Sequence, residues 1–145
     1  MTGRAFPIPA VIAVVLREGH VLLVRRAHPP DAGLWGFPGG KIEYGETVAA
    51  AARRELLEET SVEAEAGDVL ATLDVLDRDE DGRLHHHYIL IAVRCLWISG
   101  EPAAGDDALE ARWIPVSDLD PAQLPMSADV DTIARRALGL LSAPA

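Results

Sequence analysis

The chain predicts an α/β protein in which a mixed β-sheet lies between helices, a three-layer α/β/α sandwich. Paired runs of Val, Ile and Leu separated by turn residues supply the strands. One long helical segment, residues 47 to about 60, stands between the pairs. A second helical period, in "SADVDTIARRALGLL", closes the chain.

Taken in order, "AVIAVVLREGHVLLVRRA" reads as a hairpin of largely buried strands with Gly19 in the turn. In "HPPDAGLWGFPGG" the prolines and glycines exclude regular structure, and a long loop ahead of a helix is where sites often form. Thr47 caps the helix that follows, its alanines favour it, and nothing breaks it before "TSV". "VLATLDVLDRDEDGRLHHHYILIAVRCLWI" reads as two strands joined by an acidic turn at Asp81-Gly82. "ARWIPVSDL" adds a short strand, and Ser127 or Asp129 caps the terminal helix.

A length of 145 residues predicts one domain spanning 1–145, and 49% apolar with 25% charged residues sets disorder aside. The lone Cys95 excludes an intrachain disulfide and reads as a small buried hydrophobe, which fits a reducing, cytoplasmic compartment. Arg4 followed by "IPAVIAVVL" has the outline of a signal peptide, but the run is short, contains Pro9 and lacks a cleavage pattern. It is expected to be a core strand and not a membrane span. A net charge of −10 argues against binding a nucleic-acid polymer. It also means that a phosphate-rich ligand would be repelled unless metal cations accompanied it.

Two patterns suggest metal sites and fail. Asp77, Asp79, Asp81 and Gly82 open like a calcium loop, yet the required glutamate would fall at Tyr88, and strands flank the pattern where helices are needed. An acidic hairpin turn is the simpler reading. His85, His86 and His87 are consecutive, so alternation along a strand keeps all three from sharing one ion. They are expected at a solvated or half-buried strand edge.

The segment "GGKIEYGETVAAAARRELLEETSV" concentrates glutamates on its helix. At about 100° per residue, Glu59 lies roughly 40° and Glu58 roughly 300° from Glu55, so the carboxylates share one stripe. Leu56, Leu57, Ala49, Ala50 and Ala52 form the arc expected to pack on the sheet. Like charges at i, i+3 and i+4 destabilise a merely solvated helix by some tenths of a kcal/mol per pair. Hard dications that prefer oxygen ligands offset this repulsion. A solvated acidic face is the alternative reading. Gly39-Gly40, Glu43 and Glu46 just upstream favour the metal, since glycine lets backbone approach a ligand closely.

Gly40, Glu46, Arg54, Glu55, Leu56, Glu58, Glu59 and Val62 match, at every spacing, the box G-x5-E-x7-R-E-U-x-E-E-x-G-U of the Nudix hydrolases, where U is a bulky aliphatic residue. "LWGFPGGK" before the box and "ARWIPVSDL" after it extend this resemblance over most of the chain. One position departs: the final glycine of the box is Ser61, just past the helix, where a left-handed residue is usual. Lower local stability or a slightly different turn is expected, with the acids unaffected.

The resemblance implies a Nudix-type sandwich that hydrolyses the diphosphate linkage of a nucleoside diphosphate joined to another group, with Mg²⁺ or Mn²⁺. It implies Glu58 and Glu59 as principal metal ligands, Glu55 as a further ligand or as the base, the Gly40 carbonyl as a backbone ligand, and Arg54 as the residue orienting the glutamates. Asp107, six residues before Trp113, is a candidate extra ligand or base, with Asp106 and Glu110 as rivals. Arg25 and Arg26 end a strand on opposite faces, so one of them can hold a phosphate. Glu46 and the single lysine, Lys41, complete the substrate-side candidates. Trp35, Phe37 and Tyr88 are candidate base-stacking residues, with core packing the alternative.

"DGRLHHHYIL" resembles the ADP-ribose pyrophosphatase-like members, which implies ADP-ribose or another nucleotide sugar. A triphosphatase acting on nucleotides such as 8-oxo-dGTP is the alternative. A non-catalytic nucleotide sensor is a third, disfavoured because such a module would be expected to lose its acids. The resemblance also raises the expectation of a homodimer.

Overall fold

Alternation along the first strand assigns each face of the sheet to its own core. In β1 (Ile8–Arg17) Val11, Ala13 and Val15 are buried on one side, and Val14 is buried on the other with Ile12 and Leu16 packed beside it. The computed structural model describes residues 5–29, 31–105 and 107–139. Arg4, Asp106, Leu140 and Leu141 lie outside them.

β1 turns into β2 (His20–Arg26) with Leu16 opposite Val21 and Arg17 opposite His20. The two-residue loop has φ 48° at Glu18 and 76° at Gly19, the pair of positive values that a tight hairpin matched to strand twist requires. β3 (Trp35–Gly36) pairs with β2, and β4 (Gly39–Lys41) pairs with β1. These short strands correct the expectation that the Pro/Gly segment is irregular throughout. Tertiary pairing imposes extended backbone on residues with little strand preference of their own.

Helix α1 (Val48–Thr60) is capped by Thr47, whose side chain accepts from the Ala50 N–H. It leads to β5 (Glu63–Arg78), β6 (Leu84–Ser99) and β7 (Ala108–Pro115). The sheet order is β3-β2-β1-β6-β5, with β7 also on β2. β1 and β6 run parallel while the other pairings are antiparallel, so the sheet is mixed.

Helix α1 covers one face through Ala51, Ala52 and Leu56, against Val11, Val15, Val62 and Val93. Helix α2 (Val130–Ala137) covers the other through Val130, Ile133, Ala134 and Ala137, with Trp35 and Phe37 in the same cluster. The buried arc of α1 is narrower than expected: Leu57 is 47% exposed, and Ala49 and Ala50 are exposed. The buried set of α1 is Ala51, Ala52, Leu56 and Thr60, and Leu57 is rolled off the sheet. Of the two proposed caps on α2, Asp129 holds the position, but in a left-handed conformation and without a side-chain capping bond.

The Asp81-Gly82 turn is closed by Asp79, whose Oδ1 accepts from the Asp81 and Arg83 amides at 2.9 Å each. His85 and His86, both exposed, pair with Asp79 and Asp77 at 2.8 and 3.1 Å. Cys95 is fully buried, and burial pushes its thiol up to about 12.

Candidate active site

The acidic stripe of α1 lies against β4, and two glycines allow the approach. The Gly39 N–H donates to Glu59 Oε2 at 2.9 Å. A Cβ on Gly40 would stand 2.5 Å from Glu55 Cδ and 2.6 Å from each of its carboxylate oxygens. Any side chain at 40 would therefore push Glu55 out of place.

Arg54 organises the cluster. Its Nε and Nη2 reach the two Glu46 carboxylate oxygens at 2.6 and 2.8 Å, a bidentate fork. Nη1 donates to Glu55 at 2.8 Å and to Glu58 at 3.3 Å, and Nη2 also meets the Lys41 carbonyl at 3.1 Å. The guanidinium beside it holds the Glu46 carboxyl down at about 2, helped by a bond from the Glu43 amide. Hydrogen bonding to Glu46 in turn pushes Arg54 further up.

Glu55, Glu59, Asp107, Arg26, His28 and Gly39 line a pocket of about 210 Å³. Burial, with the neighbouring Glu55 and Asp107 charges, pushes the Glu59 carboxyl up to about 7, although the Gly39 N–H and Arg26 act in the opposite sense. Glu58 is 61% exposed on its side chain and does not line this pocket. Nor does Glu110, which joins Arg25 at 3.2 Å and Arg112 at 2.6 Å. Of the paired arginines, Arg26 faces the cavities and Arg25 makes that ion pair across β2 and β7.

A larger cleft of about 630 Å³ adjoins, sharing Arg26 and Gly39 with the acid pocket. Gly40, Lys41, Phe37, Tyr88, Asp74 and Asp129 are among its walls. Trp35, 5% exposed, lines neither cavity and is a core residue, with Arg112 4.9 Å above its ring. Tyr88 stacks on His86 at 5.6 Å.

Among the described residues, no three His, Cys, Asp or Glu side chains are arranged as a ready metal cage. The donors nonetheless fit a hard dication such as Mg²⁺, which keeps several waters and takes one or two carboxylates together with substrate oxygens. Carboxylates, an adjacent backbone opened by glycine, and an acid whose charged form is disfavoured by burial are what such an ion would complete.

Sequence reasoning missed His28, which enters the acid pocket from the loop after Arg26, and Asp74, which reaches the cleft from β5. The position of His28, two residues beyond the strand-end arginines, was the available signal; Asp74 offered none.

A family model for the NUDIX domain matches residues 7–136. The chain belongs to the NUDIX family. Among its NUDIX relatives, an ADP-ribose pyrophosphatase from Methanocaldococcus jannaschii is 36% identical over 113 residues, covering 78% of this chain and 64% of that protein. This chain therefore spans less than two thirds of that relative's length. A putative 8-oxo-dGTP diphosphatase 2 from Mycobacterium tuberculosis is 38% identical over 111 residues, covering 75% of this chain and 74% of that protein. The crystal structure of a MutT NUDIX hydrolase from Burkholderia pseudomallei superposes with a TM-score of 0.77 at 28% identity, covering 90% of this chain and 98% of that chain. The NUDIX sandwich expected from the sequence is thus the observed fold.

Proposed function

We propose that this NUDIX chain hydrolyses the diphosphate linkage of a nucleoside diphosphate derivative with the help of Mg²⁺ or Mn²⁺. The observation that carries the reading is the junction of the two cavities: a pocket of carboxylates meets a cleft large enough for a nucleoside, and Arg26 faces both. A ligand whose diphosphate lay at Arg26 would place one end in the cleft and its phosphorus beside Glu55, Glu59 and Asp107.

When bound, dications neutralise the diphosphate oxygens and lower the pKa of water. Glu59 and Glu58 are the residues proposed to hold them, with the Gly40 carbonyl. Glu55 and Asp107 are ligands or the base. Arg54 holds Glu46, Glu55 and Glu58 in one array, so the acids are oriented before substrate arrives. Lys41, on the wall of the cleft, supplies a compact positive charge to the substrate.

ADP-ribose or another nucleotide sugar is the leading substrate, supported by the archaeal relative. The mycobacterial relative, of which this chain covers the larger share, supports the second reading, a nucleoside triphosphate of the 8-oxo-dGTP type. A small-molecule nucleotide partner and a cytoplasmic location complete the proposal; among the described residues no helix is long and apolar enough to cross a membrane. Screening the purified protein with Mg²⁺ against nucleotide sugars, dinucleotides and triphosphates tests it. Turnover of a nucleotide sugar supports the first reading and of a triphosphate the second. Tight nucleotide binding without turnover in any metal would favour a sensor.

A further inference from the structure

The last turn of a helix leaves carbonyls without intrahelical partners, and in α1 the segment before β7 takes two of them. The Ala103 N–H donates to the Thr60 carbonyl at 2.9 Å, and the Gly105 N–H donates to the Glu59 carbonyl at 2.8 Å. Gly105 lies so close that a Cβ there would stand 2.7 Å from the Glu58 carbonyl oxygen, 3.1 Å from that of Glu59 and 3.3 Å from Glu59 Cα. These neighbours are backbone atoms of a packed helix, so they cannot swing aside. Two residues on, the Asp107 carbonyl accepts from the Ala27 N–H at 3.4 Å, just past the end of β2, and Asp107 lines the acid pocket. Glu59 thus gives its carboxylate to the pocket and its main-chain oxygen to the segment that carries Asp107.

We propose that Gly105 is a positioning residue: contact of its bare backbone with the last carbonyls of α1 sets how far the Asp107 carboxylate reaches into the acid pocket. The inference rests on the hydrolase reading for its kinetic consequence and on the contacts themselves for the rest. Gly105→Ala forces a shift at the helix end, and lifting the segment is expected to withdraw Asp107 with it against its bond from Ala27. Displacements of this kind in groups supporting a metal or reacting centre cost about 10–100-fold in metal affinity or turnover.

Gly105→Ala is compared with Asp107→Asn by three measurements: hydrogen exchange at the Ala103 amide in metal-free protein, Mn²⁺ affinity without nucleotide by electron paramagnetic resonance, and kcat with KM on the substrate found by screening. The variant is expected to lose protection at Ala103, to bind Mn²⁺ about as weakly as Asp107→Asn, and to lose kcat with KM little changed. Adding Asp107→Asn should cost nothing more. Asp107→Glu should restore activity in the Gly105→Ala background alone, because its extra methylene makes up the withdrawn reach. Should Gly105→Ala fold poorly, one glycine inserted after Gly105 lengthens the tether without crowding the helix, and it should lower Mn²⁺ affinity in the same way.

Wild-type Mn²⁺ affinity in both Gly105→Ala and the insertion variant would overturn the proposal, as would losses that multiply with Asp107→Asn. Absence of turnover in the unaltered protein would sink the hydrolase reading, while the exchange and Mn²⁺ measurements would still decide the positioning role.

Discussion

Glu59 and Gly39 are joined by a 2.9 Å hydrogen bond from the strand amide to the helix carboxylate. The bond fixes the last acid of α1 against β4, in surroundings dry enough to push its carboxyl up to about 7. Because the folded value lies above the ordinary 4.5, protonated Glu59 favours the folded state. That contribution is fully present below about pH 4.5 and is lost as pH rises through 7. Glu59→Gln is expected to flatten the stability of metal-free protein between these limits, as urea denaturation at a series of pH values would show. A dication should displace the proton, so Mn²⁺ binding near pH 6 is expected to release one, measurable by calorimetry in buffers of different ionisation heat.

Arg54 spends its fork on Glu46 and its remaining donors on Glu55, Glu58 and the Lys41 carbonyl. A lysine offers a single ammonium centre and cannot span them. Arg54→Lys is expected to keep the fold and lose about 10–100-fold in turnover, the usual cost of disordering groups that hold metal ligands. Circular dichroism beside steady-state kinetics checks both halves.

Ser61 ends α1 with φ 65° and ψ 14°, its N–H donating to the Leu57 carbonyl. The left-handed conformation expected where the box usually has glycine is therefore present on a residue with a Cβ. A left-handed non-glycine residue costs roughly 1–2 kcal/mol, and glycine returns roughly 0.5–1 of that through its freer unfolded chain. Ser61→Gly should stabilise the protein by about 0.5–1 kcal/mol, read from the urea midpoint, with kcat unchanged.

Leu56 is wholly buried under the acid stripe, among Val11, Val15 and Val62. Leu56→Ala leaves a cavity there and is expected to cost about 2–5 kcal/mol in thermal or urea unfolding.

Much of this molecule was legible in the chain because its signals are local. The Glu18-Gly19 turn, the Thr47 cap and the shared stripe of Glu55 and Glu59 each lie within a few residues. Strands β3 and β4 were not legible: their Trp-Gly and Gly-Gly-Lys segments become extended only by pairing with β2 and β1. The width of the buried arc on α1 depended on how the helix rolls on the sheet, which left Leu57 exposed. The register of β2 against β7 shifts between Arg25 and Arg26, so only the fold shows which of them faces the cavities. The walls of the cleft come from distant segments, Lys41, Asp74, Tyr88 and Asp129, and no spacing in the chain brings them together.

The most direct measurement is nucleotide turnover by purified protein with Mg²⁺, with a chelator in its place, and in Glu59→Gln and Glu58→Gln. Turnover that needs the ion and falls by orders of magnitude in both variants, with the fold retained, is the expected result. Equal turnover with the chelator, or undiminished turnover in both variants, would contradict the assignment of these acids to a dication.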